Sequence, residues 1–159
     1  VLLFDKFIND IVKNELRNFG FQDFDKYDNE KLLLGMLHLK LKTINPEKYI
    51  VNESKEFLKK FSMLDSKFQY AYKIIKDRLL SGNDINPFLS RQAIKPQKKD
   101  ALLFHWRISH LHLNANKSNS YFNKRSSKLA MVYFDRHKKI AYFIDIKDHN
   151  CQRSIKMYH

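Results

Sequence analysis

At 159 residues with a formal net charge of +13, the chain has the size of one folded domain and a charge that attracts polyanions. Three glycines and three prolines punctuate too rarely for a propeller or a many-turned sandwich, and neither G-x-x-x-x-G-K nor G-x-G-x-x-G is present. The single cysteine, Cys151, can neither close an internal disulfide nor supply a two-cysteine zinc knuckle, which points to a reducing, cytoplasmic setting.

The opening Val1-Leu2-Leu3-Phe4 runs into Asp5 and Lys6, too short a run for a signal peptide or a membrane span. A start at valine leaves open that the chain is a piece of something longer. Phe4, Phe7, Ile8, Ile11, Val12, Leu16 and Phe19 recur at three-and-four spacing and predict a first helix stopped by Gly20. A second is expected from Asn29 to Lys42, with Leu32, Leu33, Met36, Leu37 and Leu41 on one side. Pro46 opens a third, running through Ile50, Phe57, Leu58 and Phe61. Asp65 or Ser66 caps a fourth, which carries Phe68, Tyr72, Ile75 and Leu79 and ends at Ser81-Gly82.

Residues 82–99, broken by Pro87 and Pro96, form a long loop. After it the pattern changes to β-branched and aromatic runs of strand length: Phe104 to Leu113, Leu129 to Phe134, and Ile140 to Ile146. Asp135 to Lys139 is the turn of a hairpin between the last two, and residues 114–127 are a polar, basic loop before it. Helices followed by strands predict an α+β fold: an N-terminal helical layer packed on a small C-terminal antiparallel β-sheet. Residues 1–159 then form a single domain, with 1–81 helical, 82–99 a loop, and 100–159 the basic, β-rich part that carries the site.

Charge and histidine concentrate in that last part. Residues 101–159 carry 11 Lys and Arg against 3 Asp and Glu, and six of the seven histidines lie after residue 100. In the run Trp106-Arg107-Ile108-Ser109-His110-Leu111-His112-Leu113, a strand's period of two puts Trp106, Ile108, His110 and His112 on one side. Two imidazoles then meet solvent together, as a proton-transfer couple or as part of a metal site.

Cleaving RNA without a metal needs a base for the ribose 2′-hydroxyl, an acid for the leaving 5′-oxygen and a cation for the phosphate. His110 and His112 supply the first two, Arg125 or Lys124 the third, and Tyr142 or His149 support them. Arg107, Lys124, Lys128 and Lys147 are candidate RNA contacts. Asp145, a carboxylate in an apolar run, should be paired, with a histidine of the neighbouring strand as the expected partner. Trp106 belongs to the core or stacks on a base. This reading calls for no cofactor and no metal.

Two alternatives use the same segment. His110-x-His112 with Asp145 or His149 makes a three-ligand zinc or manganese site for a metal-dependent phosphoesterase. A non-catalytic RNA- or DNA-binding module would instead stack bases on Tyr121, Phe122 and Tyr133. Three acidic residues in the segment are too few for a two-metal carboxylate nuclease.

Asn86-Pro87-Phe88-Leu89-Ser90, Asp100-x-Leu102-Leu103, Trp106-x-Ile108-x-His110-Leu111-His112-Leu113 and Tyr142-Phe143-Ile144-Asp145-Ile146-x-x-His149 resemble a motif set of small bacterial proteins. The layout of helices followed by a basic sheet is similar to RNase toxins of the RelE and barnase/EndoU/colicin type, over residues 82–150. The resemblance implies a metal-independent endoribonuclease toxin held in check by an acidic antitoxin or immunity protein, acting in the cytoplasm with no membrane partner.

Overall fold

A computed structural model describes residues 2–22, 24–90 and 101–149 of the chain. Asp100, Cys151 and residues 91–99 of the expected loop lie outside the described residues.

Helix α1 (Leu2–Asn18) and helix α2 (Asn29–Lys42) share a small apolar cluster of Val12, Leu16, Phe21, Leu32 and Leu39, separate from the main core. The chain leaves α1 through Gly20 at φ +83°, with Phe21 N–H returning to the Leu16 carbonyl at 3.1 Å, a closure that favours glycine. Asp28 caps α2, its side chain accepting from Lys31 N–H at 2.8 Å. The buried stripe of α2 is Leu32, Gly35 and Leu39; Leu33, Leu37 and Leu41, expected on the same side as Leu32, face outward. Packing against α1 buries a narrower stripe than the run of leucines offers.

The third expected helix divides. Its first part is strand β1 (Ile50–Glu53), and helix α3 (Lys55–Ser62) starts only behind Ser54, whose Oγ accepts from Phe57 N–H at 3.0 Å. Pro46 marked a helix start locally, but parallel pairing with a distant strand draws Ile50 and Val51 into the sheet. Helix α4 (Ser66–Ser81) ends at Gly82, φ +79°, as expected. The strand expected from Phe104 opens instead as helix α5 (Ala101–Trp106), and Arg107 at φ +54° switches the chain into strand β2 (Ile108–His112). Strands β3 (Lys128–Asp135) and β4 (Ile140–Asp148) form the hairpin, with the Asp135 carboxylate accepting from His137 and Lys138 N–H groups in its turn.

The fold is α+β, with the sheet order β1-β4-β3-β2. β2, β3 and β4 are antiparallel as expected, but β1 is parallel to β4, so the sheet is mixed. Leu111, Ala130, Val132, Ala141, Phe143 and Ile146 face the main core. There Phe57 of α3 and Tyr72 of α4 meet Phe143, with ring centroids at 5.3 and 5.0 Å. The helical layer covers that face. On the other lie Ile50 at 60% exposure, half-buried Ile108, His110, Tyr133 and Tyr142, and buried Leu129, Met131 and His112. Among the described residues no helix is long and apolar enough to cross a membrane.

Asn86 ties the two halves together. Its side chain accepts from Ile44 N–H at 2.7 Å and donates to Ile44 C=O at 2.8 Å, a side chain standing in for a strand neighbour. Beside it the Pro87 carbonyl accepts from Asn123 N–H at 2.8 Å, anchoring the basic loop 114–127. Asn86→Ala leaves two buried backbone groups unpaired and is expected to cost about 3 kcal/mol in urea denaturation, against less than about 0.5 for exposed Asn83→Ala.

Candidate functional site

On β2, alternation turns Ser109 and Leu111 inward and His110 and His112 to the other face, as the sequence pattern requires. The two imidazoles do not meet solvent equally. His110 is half-buried, while His112 is only 3% exposed. The cause is the return of the basic loop over the end of β2. Leu113 N–H donates to the Lys128 carbonyl, Ser126 Oγ donates to the Leu113 carbonyl, and Ser126 N–H donates to His112 Nδ1, each at 3.1 Å.

That last bond fixes the state of the ring. An N–H can donate only to an unprotonated Nδ1, so neutral His112 carries its proton on Nε2. Nε2 is itself buried and has no hydrogen-bond partner among the described residues. Burial first, then the neighbouring His110 and His149, push the His112 pKa down from 6.5 to about 4. At neutral pH it is a buried, uncharged donor.

His149 completes the cluster, its ring centroid 5.4 Å from that of His112, which lies 6.3 Å from His110. Its N–H donates to the Ser127 carbonyl at 2.8 Å, which extends the β3–β4 hairpin ladder beyond Lys128 and Asp148. His149, Arg125, Ser126, Ser127 and Asp148 line a cleft of about 360 Å³, and His112 stands directly behind its Ser126 wall. The guanidinium of Arg125 is exposed and makes no hydrogen bond or ion pair among the described residues.

The other expected site residues fall into two groups. Lys128 reaches the cleft rim, where it pairs with Asp148 at 2.7 Å, and Lys124 is exposed in the loop next to Arg125. The rest lie elsewhere. Tyr142 sits opposite Tyr133 in the row of Ile108, about 13 Å along the strands from His112 and two strands across. Trp106 ends α5 at 71% exposure, outside both the strand and the core, and Arg107 makes the helix-to-strand switch.

Asp145 is paired as expected, but with lysines. Lys60 Nζ lies 2.6 Å and Lys147 Nζ 2.8 Å away, at the edge of β4 beyond the reach of β1. A bulge opposite Met131 helps turn it there, and β3 separates it from the histidine strand, so it orients no histidine. Burial pushes its carboxyl up, but the hydrogen bonds from Lys147 and Lys60 outweigh this and hold it below the ordinary carboxylate value. Tyr121 and Phe122 are not free for stacking: the Tyr121 hydroxyl donates to Asp84, and Phe122 is buried in the core.

Among the described residues no group of three His, Cys, Asp or Glu is arranged to hold a metal ion. Sequence reasoning missed Ser126 and Ser127, because nothing in a polar loop distinguishes them until it folds back on β2. Comparison with family models, curated proteins and solved structures finds no match to this chain.

The depressed pKa of His112 makes folding pH-dependent with a definite sign. The unfolded chain takes up this proton near pH 6.5 and the folded one only near 4, so its contribution is full above 6.5 and is lost as pH falls toward 4. Urea denaturation is expected to show a loss of about 3 kcal/mol across that window relative to His112→Asn, whose amide oxygen can still accept from Ser126 N–H.

Proposed function

We propose that the chain is a metal-independent endoribonuclease, of toxin or defence type, that cleaves RNA at the histidine cleft. One observation carries this reading: His149 and Arg125, whose guanidinium is unpaired among the described residues, line an open cleft, with His112 behind its Ser126 wall and His110 next to His112. In the reaction, the 2′-oxygen of a ribose attacks the adjacent phosphorus while an imidazole takes its proton. The P–O5′ bond breaks, and a second imidazole returns a proton to O5′. The products are a 2′,3′-cyclic phosphate and a 5′-hydroxyl.

His149, on the cleft wall, and His110, on the other side of His112, are the imidazoles for the two transfers. Arg125 offsets the charge that grows on the phosphoryl oxygens. His112 is a positioning residue, because its Nε2 is sealed from solvent and acts only through the rings beside it. The basic surface around the cleft is also one that an acidic antitoxin or immunity protein would cover, and the cytoplasm is the compartment that suits such a pair.

The test is incubation with total RNA and with single-stranded DNA, with and without EDTA, beside His149→Ala and Arg125→Ala. RNA is expected to be cut in EDTA and DNA, lacking the 2′-hydroxyl, to be spared. Loss of the imidazole should slow cleavage by roughly 10²–10⁴-fold. Cleavage abolished by EDTA, or unchanged in His149→Ala, overturns the reading. Tight RNA binding without product would make the face a binding module instead.

A further inference from the structure

Helix α2 is apolar on two opposite sides, and the fold uses only one of them. Leu32, Gly35 and Leu39 make the stripe buried against α1; at about 100° per residue, Leu33, Leu34, Leu37 and Leu41 make a second stripe on the far side. These four leucines are 37% to 55% exposed and follow one another at three-and-four spacing over two turns. Helix α1, in the same hairpin, exposes Phe7 and Ile11 as well. Apolar side chains standing singly on a surface are ordinary, whereas a continuous apolar stripe marks an interaction site.

We propose that this stripe is the contact between two copies of the chain, which pair α2 against α2, antiparallel, about a two-fold axis at the middle of the helix. The leucines supply the contact, and charge selects the occupant. Residues 1–42 carry 7 Lys and Arg against 7 Asp and Glu, so the whole excess of +13 lies in residues 43–159. A hairpin without net charge has no attraction for a nucleic acid or a strongly acidic protein. It is also the part of a highly basic chain that a second copy approaches against the least repulsion.

Charge sets the direction too. At its start α2 has Asp28 and Glu30 against Lys31, and at its end Lys40 and Lys42. Arg136 adds a cation at that end, donating to the Leu41 and Thr43 carbonyls at 2.8 and 2.9 Å. Even with Glu15 2.5 Å from Lys40, the end stays basic while the start is acidic. Antiparallel pairing sets the acidic start of one helix beside the basic end of the other, twice over, as a two-fold axis requires. Parallel pairing would set like ends together. With the axis at the middle of Asn29–Lys42, Leu34 of each copy comes level with Leu37 of the other, and Glu30 with Leu41, next to Lys40.

The experiment is sedimentation equilibrium of the full chain beside Leu34→Gln/Leu37→Gln/Leu41→Gln, which replaces exposed leucines with another good helix former and leaves the buried stripe intact. The wild-type mass is expected to rise with concentration from 19.2 kDa toward twice that value, and the glutamine variant to stay at 19.2 kDa with its melting temperature unchanged. In a Cys151→Ser chain, Leu37→Cys, beside the axis, should cross-link two copies on oxidation. Asn29→Cys should not, because its two copies lie about 20 Å apart along an antiparallel pair, too far for a disulfide. A wild type that stays monomeric up to about 300 µM overturns the proposal and leaves the stripe to a different partner. So does a dimer that persists in the glutamine variant, or cross-linking through Asn29→Cys. If the glutamine variant does not fold, the two cysteine variants decide between them. Neither readout depends on the chemistry of the histidine cleft.

Discussion

Phe143 of β4 is packed by Phe57 from α3 and Tyr72 from α4, and through these contacts the helical layer and the sheet share one core. Strand β4 is also the only strand paired with both the hairpin partner β3 and the early strand β1. Aromatic burial on this scale, several large side chains withdrawn fully from water, is the main stabilising term for a domain of this size. By committing one face of a four-stranded sheet to the helices, the packing puts the histidines on the other face, where Leu129 and Met131, opposite His112 and His110, are buried as well.

The cleft depends on a second, smaller constraint. Ser126 occupies three hydrogen bonds, receiving Lys128 N–H on its Oγ, giving that hydroxyl to Leu113, and giving its N–H to His112. A polar loop that would otherwise remain solvated is thereby pinned over the end of β2. One consequence is the sealing of His112 in a neutral form; another is the placement of Arg125, next in the chain, at the mouth of the cleft with its guanidinium unpaired among the described residues. His112 Nε2, buried and without a partner among the described residues, costs about 1–3 kcal/mol.

Much of the candidate site was legible in the strand pattern and in the charge count, and some of it was not. The pairing of His110 with His112 on one face followed from a period of two, and His149 stood out as a histidine at the end of the last strand. Their unequal exposure was invisible, because it depends on a loop fourteen residues further along folding back. Asp145 was recognisable as a carboxylate that had to be paired. Its partner was not, since Lys60 lies 85 residues away and meets it only where α3 packs on the edge of β4. Tyr142 looked like a neighbour of the histidines in the sequence motif, yet the antiparallel register carries it to the far end of the sheet.

The sequence by itself determined what depends on neighbours a few residues apart: helices α1, α2 and α4, the glycine stops at Gly20 and Gly82, the β3–β4 hairpin, and the succession of helices and basic strands. Only the tertiary structure decided whether Ile50–Glu53 would be helix or strand, because the local helix signal of Pro46 competes with a parallel partner ninety residues later. It also decided that Phe104 and Trp106 belong to a helix, with Arg107 at positive φ breaking what reads as one continuous apolar run. The division has one physical reason. Periodicity and capping are local energies written in adjacent residues, whereas strand pairing, burial and ion pairing are set by which distant surfaces the shared aromatic core brings together.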